Sequence, residues 1–229
     1  MSYVIEKSAQ PSTAVNGGGR FPVRRIFCVG KNYADHVKEM GGDARSDPPV
    51  FFTKPADCIV ESGSSIPFPL ATNDFHYEGE LVVALKSGGV HIAREDAQQH
   101  IFGYAAGCDL TRRDHQAAAK KKGTPWDTAK GFDDSAPIGE IIPAQDAGSL
   151  SEESLVTRVN GDVRQDAPLS SMIWSIDEII AALSTQFELK AGDLIYTGTP
   201  KGVGPLSPDD KVSIEIGSLP PLTFTIKNR

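Results

Sequence analysis

Short apolar runs, each closed by glycine or proline, dominate this chain and leave little room for long helices. VRRIFCVG (23–30), PVFFTKP (49–55), GELVVALK (79–86) and FGYAAGCDL (102–110) occupy the first half. LVTRVN (155–160), DLIYTGT (193–199), KVSIEI (211–216) and LTFTIK (222–227) follow in the second. Their length and their Val, Ile, Phe and Tyr content predict strands. The 22 glycines and 16 prolines among 229 residues supply the turns that so many strands need. Asn160-Gly161, between two alternating runs, predicts a tight hairpin with positive φ at both turn residues.

Helices are few. Tyr33–Met40 predicts two turns ended by Gly41-Gly42, and Arg94–His100 a short helix. Thr111–Lys122 predicts a longer one, with Thr111 and Asp114 as a capping box and three lysines at its negative end. Ser175–Thr185 is the clearest, with Ser175 and Glu178 as a capping box and Ile176, Ile179, Ile180 and Leu183 on one face. Strands outnumber helices and do not alternate with them. The expected class is therefore α+β, mainly β, rather than a doubly wound α/β fold. Residues 1–20 read as an N-terminal arm closed by the glycines at 17–19, and residues 21–229 as a single domain.

Charge narrows the function. Asp and Glu total 30 against 23 Lys and Arg, a net charge of −7. Nucleic-acid binding needs a basic surface, and anionic membranes attract polybasic patches; neither partner is expected. No run of apolar residues is long enough to span a bilayer, and the first ten residues lack the basic start and apolar stretch of a signal peptide. Cys28, Cys58 and Cys108 are far apart and odd in number, with no zinc or disulfide pattern. A cytoplasmic location is expected.

The most informative short stretch is His76-Tyr-Glu-Gly-Glu80. Glu78 and Glu80 are two apart at the start of a strand, so their side chains share a face. Gly79 bares the opposite face and lets other backbone approach. Asp109 ends the next apolar run, where an unpaired charge would be very costly. Three carboxylates from two strand ends suit a hard divalent cation, Mg²⁺ or Mn²⁺. Acidic pairs also line solvated strand faces, and the pattern alone leaves both readings open.

Other polar residues gather around this motif. His36 and Glu39 are three apart on the first predicted helix. A carboxylate there would orient and strengthen an imidazole base, although an ordinary surface pair has the same spacing. Arg113 and Gln116 are three apart on the helix after Asp109, and the Arg fork suits a carboxylate. Lys130, in a stretch with few charges, suits a developing oxyanion. Gly198-Thr-Pro-Lys-Gly-Val-Gly204 lacks the order of a Walker loop, yet its N–H groups and the Thr199 hydroxyl suit an anion.

These pieces together resemble the fumarylacetoacetate hydrolase family. The resemblance covers about residues 21–229 and rests on GKNYADHVKEM (30–40), FFTKP (51–55), HYEGEL (76–81) and GCDLTRRDHQ (107–116). It continues through KGTPWDTAKGFD (122–133), VNG (159–161), SSMIWSI (170–176) and GTPKGVG (198–204). Two departures stand out: Lys31 where many relatives have arginine, and no separate N-terminal domain of the kind the longer members carry.

The resemblance implies a mixed β-sandwich roll with few short helices, usually a homodimer. It implies Mg²⁺ or Mn²⁺ on Glu78, Glu80 and Asp109, and a water-activating dyad of His36 and Glu39. Lys130 would act on the oxyanion; Arg113, Gln116 and Thr199 would bind substrate. The implied reaction is hydrolysis of a carbon–carbon bond in an acylpyruvate, a small anionic keto acid. Fumarylpyruvate, from gentisate breakdown, is the favoured member. Oxaloacetate decarboxylation and oxaloacetate tautomerisation need the same pocket. A non-catalytic β-sandwich that binds an organic acid is the remaining alternative, and it predicts that the three acids do not converge.

Overall fold

A computed structural model describes residues 3–35 and 48–229. Its centre is a large mixed sheet. The strand order is Val50–Lys54, Arg25–Gly30, Asp193–Tyr196, Gly79–Leu85, Ile101–Cys108, Ala136–Ile138 and Ile59–Glu61. A second sheet runs Asp162–Pro168, Ser154–Val159, Lys211–Ile216, Leu222–Lys227 and Ser64–Pro67. The expected mainly-β architecture, with few helices, is what the chain forms.

Strand periodicity decides which side chain meets which layer. Phe27, Val29, Leu81, Val83 and Leu85 leave one face of the large sheet and pack with Leu155, Ile214, Leu222 and Phe224 of the second. The intervening Ile26, Cys28, Val82 and Ala84 leave the other face and pack with Ala105, Ile138, Leu194 and Tyr196. Gly79–Leu85 is buried along its whole length. Glu80 shares the parity of Val82 and Ala84, so it stands at the end of an apolar face that the second sheet does not cover.

Local signals hold with instructive exceptions. Asn160 (φ 55°) and Gly161 (φ 89°) turn the hairpin of the second sheet. Helix Ile176–Gln186 starts at Ser175: the Ser175 side chain accepts from Glu178 N, and Ser175 N donates to Glu178 Oε2 at 2.9 Å. Ser175→Ala should cost about 1 kcal/mol, or about 2–4 °C in melting temperature, and leave divalent-cation affinity unchanged. Paired thermal melts and metal titrations check this.

The capping box expected at Thr111 does not form. Thr111–Arg112 is a short strand against Phe75–Tyr77, and helix Arg113–Lys122 begins after it. The Thr111 hydroxyl donates to Asp109 O and accepts from Lys130 Nζ, while Asp114 takes Thr72 Oγ1 and Asn73 N. A buried ammonium competes for the threonine oxygen more strongly than a helix end.

Part of the expected arm is also folded. Ser12–Ala14 pairs with Arg20–Pro22, the glycines at 17–19 form their turn, and Thr13 is buried. The glycine run is therefore the turn of a hairpin. Residues 3–10 are exposed. Among the described residues no helix is long and apolar enough to cross a membrane.

Candidate metal centre and active site

Glu78, Glu80 and Asp109 converge. Each offers a carboxylate oxygen within 4.8 Å of the others, and all three residues are buried. Gly79 pairs with Cys108 in the ladder between Gly79–Leu85 and Ile101–Cys108. That register puts Glu78 beside Asp109, and Asp109 N donates to Glu78 O at 2.9 Å. The convergence is thus fixed by strand pairing rather than by flexible loops.

Three buried carboxylates repel one another, and cations answer them. Lys130 Nζ donates to Glu78 Oε2 at 2.7 Å, Asp109 Oδ2 at 2.6 Å and Thr111 Oγ1 at 2.7 Å. Burial opposes its charge, but Asp109 and Glu78 outweigh burial and raise the Lys130 pKa. Lys54 Nζ lies 2.8 Å from Asp109 Oδ1 and donates to Leu110 O and Lys130 O. Arg113 pairs with Glu78 Oε1 and donates to Gln116 Oε1 at 2.6 Å. Glu80 receives Gly198 N–H on Oε2 at 2.8 Å. Burial, then Asp109 and Glu78, push its pKa well above the ordinary carboxylate range.

The donors fit a hard divalent cation. All three candidate ligands are carboxylates, with neither sulfur nor imidazole in the set. Asp109 Oδ1 is buried without a well-directed hydrogen bond, although Lys54 lies close. Glu80 is strained toward its neutral form by its own companions, a strain that a +2 charge among them would relieve. These residues can hold Mg²⁺ or Mn²⁺.

A cavity of about 30 Å³, room for a species of water size, opens over the cluster. Arg113, Gln116, Lys130 and Thr199 line it, with Lys31 and Lys120. A larger cavity of about 370 Å³ shares Phe52, Trp126 and Lys130 with it. Lys120 stacks over Trp126 at 5.4 Å from the ring centre. Its pKa is lowered by partial burial and then by Arg113, with Lys130 and Lys31 adding to the effect. The approach to the acids is therefore cationic and suits an anionic ligand.

The structure brings together seven of the residues singled out from sequence: Glu78, Glu80, Asp109, Arg113, Gln116, Lys130 and Thr199 all line this cavity. His36 and Glu39 lie outside the described residues. Gly79 faces side chains rather than the backbone expected opposite it: a Cβ there would lie 2.2 Å from Thr157 Oγ1 and 3.0 Å from Gln165 Oε1.

Three organising residues went unassigned in the sequence. Lys54 ends the FFTK run on the same strand face as Phe52, and a lysine in so apolar a run was a readable signal of a buried charge. Asn32 binds Thr197 O and both backbone groups of Trp174, fixing the chain just before Tyr33. Gln165 gave no signal, because DVRQDAP reads as a mostly polar edge strand in which Val163, and not the glutamine, looks like the inward-facing residue.

The chain as a whole is similar to known proteins. The model of the family described as "Fumarylacetoacetate (FAA) hydrolase C-terminal" matches residues 25–227. A fumarylpyruvate hydrolase from a Ralstonia species is 41% identical over 177 residues, 77% of this chain and 91% of its own. The mitochondrial oxaloacetate tautomerase of Mus musculus is 41% identical over 204 residues, 89% of this chain and 92% of its own. The crystal structure of fumarylpyruvate hydrolase from Pseudomonas aeruginosa, in complex with Mn²⁺ and pyruvate, is similar at a TM-score of 0.97 and 40% identity, covering 100% of both chains.

Proposed function

The chain belongs to the fumarylacetoacetate hydrolase family, and from that premise we propose that it is a divalent-metal-dependent acylpyruvate hydrolase. Its proposed substrate is fumarylpyruvate, split with one water into fumarate and pyruvate in aromatic catabolism through gentisate. The observation that carries this reading is the buried convergence of Glu78, Glu80 and Asp109 beneath a cavity rimmed by cations. The organic-acid-binding alternative required these acids to lie apart, and they do not.

Glu78, Glu80 and Asp109 would hold the divalent cation, which when bound would supply positive charge where an enolate develops. His36, oriented by Glu39, takes a proton from water. The hydroxide adds to the distal carbonyl, and Lys130 donates to the resulting oxyanion, giving up one of its present partners for that step. Collapse breaks the carbon–carbon bond, and its electron pair leaves with the pyruvate fragment. Arg113, Gln116 and Thr199 hold the substrate carboxylate. The protein would work as a homodimer in the cytoplasm.

Oxaloacetate tautomerisation is the second reading, favoured by the Mus musculus relative. Decarboxylation of oxaloacetate would use the same charges without an attacking water. A panel of acylpyruvates and oxaloacetate, assayed with Mn²⁺ and with chelator, separates them. Loss of fumarylpyruvate enol absorbance should require the metal, and a rate indifferent to chelator would remove the hydrolase reading. His36→Ala should slow hydrolysis by roughly 10²–10⁴-fold while sparing decarboxylation. Equal loss of both would deny His36 the task of activating water.

A further inference from the structure

We infer that Gln165 is a positioning residue that makes the Thr199 hydroxyl a hydrogen-bond donor to the carboxylate of a bound keto acid; this rests on the functional reading above. Gln165 lies on the edge strand Asp162–Pro168 and is the one buried side chain of that strand, 1% exposed. A primary amide in such a place must satisfy its polar atoms internally. Its Oε1 accepts Gly79 N–H at 3.0 Å. Its Nε2 donates to Pro200 O at 2.9 Å and to Thr199 Oγ1 at 2.8 Å.

Chemistry fixes which end of this amide is which. A peptide N–H only donates and a carbonyl oxygen only accepts, so Oε1 must face Gly79 and Nε2 must face Pro200. Thr199 Oγ1 therefore receives a proton from Gln165, and its own hydrogen must point elsewhere. Among the described residues no acceptor for that hydrogen is found. Thr199 lines the cavity above the carboxylates, so the free O–H is directed at whatever enters. A carboxylate oxygen accepts it; a ligand group that can only donate is refused.

The same side chain sets the distance between the two halves of the site. Gly79 sits between Glu78 and Glu80, so one amide ties the carboxylate strand to the Thr199 loop. Gly198 N–H on Glu80 is a second tie. The loop also packs closely on the strand that carries Gln165: a Cβ on Gly202 would lie 2.1 Å from Arg164 O. Thr199 is thus held in register with the carboxylates by a residue that does not itself touch the ligand.

The test is a double-mutant cycle on the Mn²⁺-loaded protein, with pyruvate as the probe and calorimetry as the readout. Gln165→Leu should weaken pyruvate about tenfold, the loss of one hydrogen bond to a charged group. It should raise KM for fumarylpyruvate by a similar factor and change kcat by less than about threefold. On a Thr199→Val background, Gln165→Leu should add less than about twofold. Gln165→Met keeps the length of the side chain but has no donor for Thr199, so it should match Gln165→Leu, and it carries the test should the leucine variant fail to fold. Undiminished pyruvate binding in these variants, or an equal loss on both backgrounds, would overturn the inference. A wild-type protein that binds pyruvate without cleaving fumarylpyruvate would count against the reaction alone, and the binding cycle would still decide the role of Gln165.

Discussion

Glu80→Gln should abolish metal-dependent turnover without lowering the melting temperature of the metal-free protein, whereas Asp109→Asn should lose both activity and stability. The contrast comes from what surrounds each carboxylate. Asp109 faces Lys54 and Lys130, both with fully buried ammonium groups. Removing its charge leaves two cations short of a partner, a loss of about 3–5 kcal/mol, or roughly 10 °C in melting temperature. Glu80 instead receives a peptide N–H and is repelled by Asp109 and Glu78. A neutral amide keeps an oxygen for Gly198 N–H and ends that repulsion. Both variants remove one proposed ligand of three, so turnover should fall on the order of 10³-fold or more in each. Mn²⁺ affinity should fall by more than the roughly 10–100-fold expected for a residue that merely orients a ligand. Thermal melts without metal, Mn²⁺ titration and the fumarylpyruvate assay read the three quantities. A large drop in the Glu80→Gln melt would refute the claim that its charge is a burden to the metal-free fold.

Gly79→Ala should be nearly as damaging, although it adds a single methyl. The new carbon would sit 2.2 Å from Thr157 Oγ1 and 3.3 Å from Leu155 Cδ2. Neither neighbour can retreat, since both are fully buried between the sheets. The strand must shift away, carrying Glu78 and Glu80 with it. We expect a loss of about 1–3 kcal/mol from overpacking and a Mn²⁺ affinity reduced roughly tenfold or more, by the logic of displaced supporting contacts. Thr157 Oγ1 has no hydrogen-bond partner, so Thr157→Ala deletes the clashing atom without orphaning another. The double variant should recover most of both losses. If Mn²⁺ affinity stays low while stability returns, the clash with Thr157 is not what displaces the ligands.

How far the sequence reached depends on which force sets each feature. Strand positions were legible because alternation and glycine punctuation are local. So was the Ser175 cap, whose two partners lie three residues apart. The carboxylates were legible as a set, because acids beside apolar strand ends need a common partner. Thr111 was misread because its partner, Lys130, is nineteen residues away and outbids the helix end. Gln165 was invisible for the same reason: it faces inward only because the second sheet lies under Gly79, eighty-six residues earlier. Long-range register decides such side chains, and no local pattern reports it.

The donor that meets Glu80 belongs to the main chain at Gly198, whereas Lys54, Lys130 and Arg113 meet the other acids through side chains. Proline would remove that N–H outright, and any other side chain there meets strain, since Gly198 has φ +98° and a Cβ would lie 2.7 Å from Asn32 Cβ, so variation has little room to grade it. Lineages that drift toward tighter or looser ion retention should therefore differ first around Glu78 and Asp109, with Glu80 as the fixed reference from which such divergence is measured.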